Sequence, residues 1–256
     1  MTKNNSVSFA SVVIAILMAG ACLFGLAGDV YSTDELKNGF LTNDVVTLVI
    51  GVPMLLASAW YAWRGHLLGR VFLPGALFFA VYNYIPYIYA VPIQTEVLLY
   101  MALAVLSAYT VAAALITIDA QAVKAELQGH LPERFVGGVL FVLGILYLFL
   151  VVGQMLNPDV AITKPEIGVL VADFAMMPAW IIGGGMLWRR TAWGYVFGVG
   201  LLFQAVMLFL AVFLVMILQP VFTDQSYPIG DIIVILVMGM FCFVPFGLFM
   251  REKVKM

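Results

Sequence analysis

The chain has 256 residues, 64% of them hydrophobic and only 10% charged, with a formal net charge of −2. Soluble domains carry roughly 25% charged and 45–50% apolar residues, so no soluble core could hide this much apolar surface and the solvent has to be lipid. The two cysteines, Cys22 and Cys242, both fall in apolar runs and read as small buried hydrophobes, which excludes a disulfide framework or a cysteine metal site.

A helix that crosses the hydrocarbon needs about 20 mostly apolar residues. The first run, from residue 7 to 27, has one lysine ahead of it and an Ala19-Gly20-Ala21 pattern like a signal-peptide cleavage site. The run continues past that pattern to Ala27, longer than an h-region of about 7–15 residues, so it reads as a membrane helix. Further spans are expected near 44–63, 68–91, 96–118, 135–156, 166–188, 193–219 and 231–250. Eight traverses put both termini on one side. Lys3, Arg64, Arg70, Lys124, Arg134, Arg189, Arg190, Arg251, Lys253 and Lys255 then share a face, with only Lys37 and Lys164 opposite. That bias places both termini in the cytoplasm and the chain in the inner (plasma) membrane.

Acids cluster on the other side. Asp44, Glu96, Glu166 and Asp231 each stand where a span is expected to begin, where an acid caps free amides and meets the positive end of the helix dipole. Asp29 follows the first span, where the dipole is unfavourable. Asp173 lies about seven residues, or roughly 10 Å, inside its span.

Sliding the sequence along itself by 125 residues aligns WRGHLLGRVFLPGALFFA (63–80) with WRRTAWGYVFGVGLLFQA (188–205) and Pro53 with Pro178. Ten of 28 columns are identical, where chance in so apolar a composition gives about two or three. The diagonal superposes the second and third spans on the sixth and seventh and sets Asp29 opposite Gln154. The expected fold is therefore all-α and transmembrane: an eight-helix bundle of two parallel four-helix repeats. Residues 1–118 form the first, 119–134 a cytoplasmic connector, and 135–256 the second. Parallel repeats of this kind occur in transporters, with the binding site at their interface.

Within the third span, FFAVYNYIPYIYAVP carries Asn83 at a depth similar to that of Asp173. An aromatic belt at the membrane interface accounts for Tyr82, Tyr84, Tyr87 and Tyr89 but not for an amide in hydrocarbon, which needs a partner. Pro86 and Pro178 each free a backbone carbonyl one turn earlier, beside Asn83 and Asp173. Gln204 sits near the middle of the seventh span and Gln154 near the outer end of the fifth. An intramembrane acid is costly to keep, and no basic residue stands at the depth of Asp173 to pair with it. It is then protonated, cation-bound or open to water. The alternative for the amides is that they bond one another and fix the packing.

His66 and His130 fall in cytoplasmic loops and no span core holds a lysine, which excludes paired haem histidines, a histidine-rich hydrolase centre and a retinal Schiff base. Phosphate-loop, nucleophile-elbow and dinucleotide motifs are missing. Gly183-Gly184-Gly185 reads as a close-packing stretch, and DAQAVKAELQGHLPER as an amphiphilic connector.

The segments LTNDVVTLVIGVPMLL, WRGHLLGR, YNYIPYIYA, VADFAMMP and WRRTAWGY together resemble an uncharacterised family of prokaryotic multi-pass integral membrane proteins of about eight helices. The resemblance covers about residues 41 to 205 and implies a bacterial or archaeal membrane protein, with no activity and no catalytic residue attached.

The reading that results is a transporter or ligand-binding membrane protein. Its partners are the lipid bilayer and an unidentified small molecule or cation, and no nucleic acid, cofactor or metal centre is expected. An outward-facing pocket at the repeat interface would draw on Asp173, Asn83, Asp29, Gln154, Gln204 and Tyr84. Two other readings stay open. One is an enzyme acting on lipid-linked substrates, with Asp173 or Asp29 as acid-base group, although no second catalytic group within reach of Asp173 stands out. The other is a scaffold or sensor subunit without chemistry.

Overall fold

The computed structural model describes residues 3–28, 30–92, 95–157 and 161–254. Among these, all regular structure is helical: α1 (Lys3–Ala27), α2 (Asp34–Trp63), α3 (Leu67–Ala90), α4 (Thr95–Ile116), the short α5 (Ala120–Leu127), α6 (Glu133–Met155), α7 (Lys164–Trp188), α8 (Ala192–Phe222) and α9 (Ile229–Val254). All but α5 are long and apolar enough to cross a membrane. The protein is a polytopic membrane protein by that criterion. Large side chains such as Phe9, Ile16, Leu98, Tyr109 and Phe149 stand exposed on the outside of the bundle, as lipid-facing residues do.

The helix boundaries follow local chemistry. Thr163 caps α7 in a reciprocal box: its hydroxyl accepts from the Glu166 amide (3.4 Å), and the Glu166 carboxylate accepts from the Thr163 amide (2.7 Å). Asp119 caps α5 by accepting from the amides of Gln121 and Ala122. α5 then buries Val123 and Leu127 against α8.

The second span departs from the sequence expectation. It begins at Asp34 rather than near residue 44, capped by Thr33, whose hydroxyl accepts from the Leu36 amide at 3.3 Å. Two wide π-helical turns, Lys37–Leu41 and Thr47–Gly51, interrupt it. The second runs into Pro53, which has no amide hydrogen for the carbonyl four residues back. Asp44 therefore does not cap a helix end. It sits inside the helix on a single α-helical turn, Thr42–Val46, between the two π turns.

α3 forms the middle of the bundle, with 67% of its apolar window buried against 22% for α9. It packs on α2, α4, α7 and α8. At its crossing with α8, a Cβ on Gly75 would strike the carbonyl oxygen of Gly200, so the two backbones meet with no side chain between them. Phe72 stacks on Phe203 next to this crossing (4.5 Å, 17°), and Phe246 of α9 leans on both.

The turns α2–α3 and α7–α8 are built alike, residue for residue. Each helix ends at a tryptophan (Trp63, Trp188), followed by an arginine in helical conformation, a residue of positive φ, and an extended residue that opens the next helix. The positive-φ residues are Gly65 (85°) and Arg190 (55°). In both turns the pair of bonds of a Schellman cap is present. Gly65 N donates to Ala62 O and His66 N to Tyr61 O (both 3.0 Å), as Arg190 N does to Leu187 O (2.8 Å) and Thr191 N to Met186 O (3.1 Å).

Candidate functional site

Two groups of interior polar residues lie on either side of α3. The first belongs to α2. Because that helix starts early and widens at two turns, Asn43, Asp44 and Thr47 are carried into the bundle instead of standing at its end. Asp44 is 1% exposed. Its Oδ2 accepts from the Tyr31 hydroxyl at 2.5 Å and its Oδ1 from the Tyr87 hydroxyl at 2.7 Å. Asn43 Nδ2 donates to the Tyr87 oxygen (2.9 Å) and to Asn83 Oδ1 (3.0 Å), which also receives the Thr47 hydroxyl at 3.5 Å. A directional chain results, running from the carboxylate through a phenol and an amide to a second amide.

Aromatic rings enclose it. Phe40 lies 4.2 Å from Tyr87 and 5.9 Å from Tyr31, and Tyr100 lies 4.8 Å from Tyr87 and 5.9 Å from Tyr84. From α1, Cys22 stands beside Asp44 and Tyr84, and Gly25 comes so close that a Cβ there would strike Asp44 Oδ2 and the Tyr31 hydroxyl. Burial, reinforced by the Asp44 carboxylate, pushes the Tyr31 phenol far above its ordinary range, so Tyr31 stays a hydrogen donor. Among the described residues, Asn83 Nδ2 and Thr42 Oγ1 are buried here without a hydrogen-bond partner, and the buried hydroxyls of Tyr84 and Tyr100 have only the neighbouring Cys22 thiol and Tyr31 phenol. Unpaired buried polar groups are rare and call for an explanation.

The second place centres on Asp173 of α7. The Tyr82 hydroxyl donates to its Oδ1 at 3.0 Å, and Tyr147 of α6 lies near it. Asp173 is half-buried. Tyr82 and Asn83 are consecutive, and a helix turns about 100° per residue, so the two project to different neighbours: Tyr82 to α7, Asn83 to α2.

The sequence-predicted residues thus occupy separate surroundings. Asp173 pairs with Tyr82, while Asn83 and Tyr84 belong to the Asp44 cluster. Gln204 is fully buried elsewhere, its Oε1 accepting from Trp180 Nε1 at 2.8 Å and its amide facing the Met176 sulfur. Gln154 is exposed near the end of α6, and Asp29 lies outside the described residues. Asp44 was read as a helix cap and Tyr87 as part of the aromatic belt, while Tyr31 and Asn43 fell outside the expected spans, because the second span was expected to begin only at residue 44. A signal was present: Leu36, Phe40, Asp44 and Thr47 fall at i, i+4, i+8 and i+11, one stripe of a continuing helix.

At the opposite end of the bundle, Glu133 is 5% exposed and ties the connector to the α7–α8 turn. Its Oε1 accepts from the Gly129 amide (2.9 Å) and the Tyr195 hydroxyl (3.1 Å), and its Oε2 meets Arg190 Nη2 at 3.3 Å. Every lone pair used is locally satisfied, which marks a structural clamp.

An apolar cleft of about 240 Å³ opens between α3, α4, α7 and α8, lined by Gly75, Phe78, Leu115, Gly183, Phe197 and Gly200 among others. It is lined by none of the acids described above. Comparison of the chain with family models, curated proteins and solved structures finds no match, so the resemblance to a prokaryotic membrane family gains no support from them. What stands is a multi-pass, all-helical chain with eight segments fit to cross a membrane.

Proposed function

We propose that the chain is a transporter of a small molecule or cation, made of two like-oriented four-helix units, 1–118 and 135–256, joined by the connector 119–134. The repeat reading is supported by the matching turns at Gly65 and Arg190 and by the meeting of Gly75 with Gly200, which the 125-residue diagonal pairs with each other. The packing is consistent with it too. α3 lies against α7 as α8 lies against α2, and α3 against α8, the pattern a pseudo-two-fold axis along the membrane normal produces. Both termini are proposed to lie in the cytoplasm of a cell whose inner membrane holds the chain, from the bias of basic residues.

The observation that carries the functional reading is Asp44: an acid buried among helices, held by two phenols and joined to no basic residue among the described residues. Such a residue is expensive to keep and marks a pathway or a site, and π turns recur at functional positions. In this reading the pocket opens between the units at the acid-rich end. Asp44, Asn83 and Tyr84 stand on one side of α3 and Asp173 on the other, with Gln154 towards the rim and Gln204 deeper. A scaffold reading draws on a different fact, the filling of the interior by Trp180, Tyr84, Tyr87 and Tyr195.

Flux separates the two. Purified chain in proteoliposomes, given imposed gradients of H⁺, Na⁺ or K⁺ and a panel of labelled amino acids, sugars and organic cations, should show movement of at least one of them above empty liposomes. Silence across the panel with correctly folded protein favours the scaffold.

A further inference from the structure

Asp44 receives hydrogens on both carboxylate oxygens, from Tyr31 and Tyr87, and among the described residues it belongs to no group of three or more His, Cys, Asp or Glu that could hold a metal ion. A metal cation is held by several oxygens converging on one point. Here the nearby candidate acceptor, Asn83 Oδ1, is already taken by Asn43 and Thr47, and Phe40, Tyr87 and Tyr100 close ring on ring beside the acid. Lys37, the nearest basic residue along α2, is exposed and about 10 Å away along the helix axis.

Among the described residues, the ionisable groups facing Asp44 are few. α1 brings Cys22, the loop before α2 brings Tyr31, α3 brings Tyr84 and Tyr87, and α4 brings Tyr100. α8, which packs on this stretch of α2, has Tyr195 as its one ionisable side chain, bonded to Glu133 at the far end. None of these is a counter-ion.

Resting on the transporter reading, we propose that Asp44 is a proton-binding site, and that the proton reaches it from the acid-rich end through Glu96, Tyr100 and Tyr31. Glu96 stands in the first turn of α4, with a buried oxygen that has no partner among the described residues, and lies near Tyr100. The Tyr100 hydroxyl is likewise buried and lies against that of Tyr31. As the Asp44 Oδ2–H bond forms, the Tyr31 O–H bond that pointed at it breaks; the Tyr31 oxygen takes the Tyr100 hydrogen, and Tyr100 takes the hydrogen of protonated Glu96, which is reprotonated from the acid-rich end. Tyr31 then accepts from Asp44 and donates to Tyr100. No charge other than the incoming proton moves, and the buried site passes from anionic to neutral. The unpaired amide of Asn83, 6% exposed, supplies a donor at the inner end of the same chain for a ligand or water that accepts from it.

Infrared difference spectra of the full-length chain in nanodiscs test this without any flux. They would be recorded between about pH 4 and about pH 9, the range covered by shifted carboxyls. The carbonyl band of a protonated, buried carboxyl should grow as pH falls and be absent in Asp44→Asn. It should persist in Asp173→Asn, change frequency in Tyr31→Phe and Tyr87→Phe, and ignore added NaCl or KCl. A band unchanged in Asp44→Asn, unmoved in both phenylalanine variants, or suppressed by Na⁺ or K⁺ at constant pH overturns the proposal. Should Asp44→Asn fail to fold, the phenylalanine variants still decide it. Transport can fail while this band titrates, and the band can be missing while a solute is carried, so the two readings fall separately.

Discussion

Tyr82 and Asn83, neighbours on α3, commit their polar groups to different helices: the Tyr82 hydroxyl to Asp173 at 3.0 Å, the Asn83 carbonyl to Asn43 at 3.0 Å. One central helix therefore serves two acids at once. The Tyr82–Asp173 bond is a single contact on a half-buried carboxylate, and its loss should be measurable. Asp173→Leu removes the acceptor from a half-buried phenol and is expected to cost about 1–3 kcal/mol. Asp173→Asn keeps an acceptor and should unfold within about 1 kcal/mol of the parent. Chemical unfolding in mixed micelles checks both. Equal losses would mean that the hydrogen bond contributes nothing.

Gly75 and Gly200 hold the crossing of α3 and α8. Alanine at 75 would press a methyl group into the Gly200 carbonyl, a backbone atom that cannot rotate away. Overpacking of this kind costs about 1–3 kcal/mol. Gly153→Ala is the control, since nothing lies within 4 Å of its Cβ position, and it should be neutral or slightly stabilising. Thermal unfolding midpoints of the two variants should differ clearly. A midpoint for Gly75→Ala equal to that of Gly153→Ala would show that the helices can separate freely.

Gly65 adopts φ of 85° in the α2–α3 turn, a conformation that costs an L-residue about 1–2 kcal/mol. Gly65→Ala should therefore lower stability by about that amount. The partner position bears an arginine at φ 55°, with Glu133 3.3 Å from its guanidinium. The second turn thus carries a non-glycine residue while a cross-link to the connector is in place, and Glu133→Gln should weaken it. Protease nicking after Arg189 and Arg190 should rise in Glu133→Gln relative to the parent. Unchanged nicking would remove Glu133 as the clamp.

The orientation rests on charge placement alone, so it is tested by chemistry from outside. Cysteines introduced at Lys37 and at the C-terminus, in a Cys22→Ser, Cys242→Ser background, should react with an impermeant thiol reagent on opposite sides of the membrane. Labelling from the same side would overturn the proposed topology.

Most of the membrane architecture was legible in the sequence, because runs of about 20 apolar residues have few alternatives. Seven of the spans begin within three residues of where hydropathy puts them, as Leu67, Glu133 and Ala192 illustrate. The second does not, for a physical reason. Asn38, Gly39, Asn43 and Asp44 lower the hydropathy of a helix whose polar residues turn inward or lie at the acid-rich end, and hydropathy cannot distinguish an inward polar stripe from a loop. The same blindness hid the site. An acid at the apparent start of a helix has an ordinary explanation in capping, which Glu166 does illustrate through its box with Thr163. Only the early cap at Thr33 and the two π turns move Asp44 from that role into the interior. Tyr82 and Tyr87 were likewise absorbed by the aromatic-belt tendency, although each donates to an acid.

The central claim is that Asp44 is kept for what it does and not for what it holds together, and the thermal unfolding midpoint of Asp44→Asn tests it most directly. A buried charge without a counter-ion destabilises the fold, and residues kept for activity are often replaced at no cost to stability. The account expects Asp44→Asn to unfold at the parent's temperature or above it, in a protein that inserts normally and no longer supports flux. A midpoint several degrees lower, with flux intact, would make Asp44 a structural pin for Tyr31 and Tyr87 and would contradict the account.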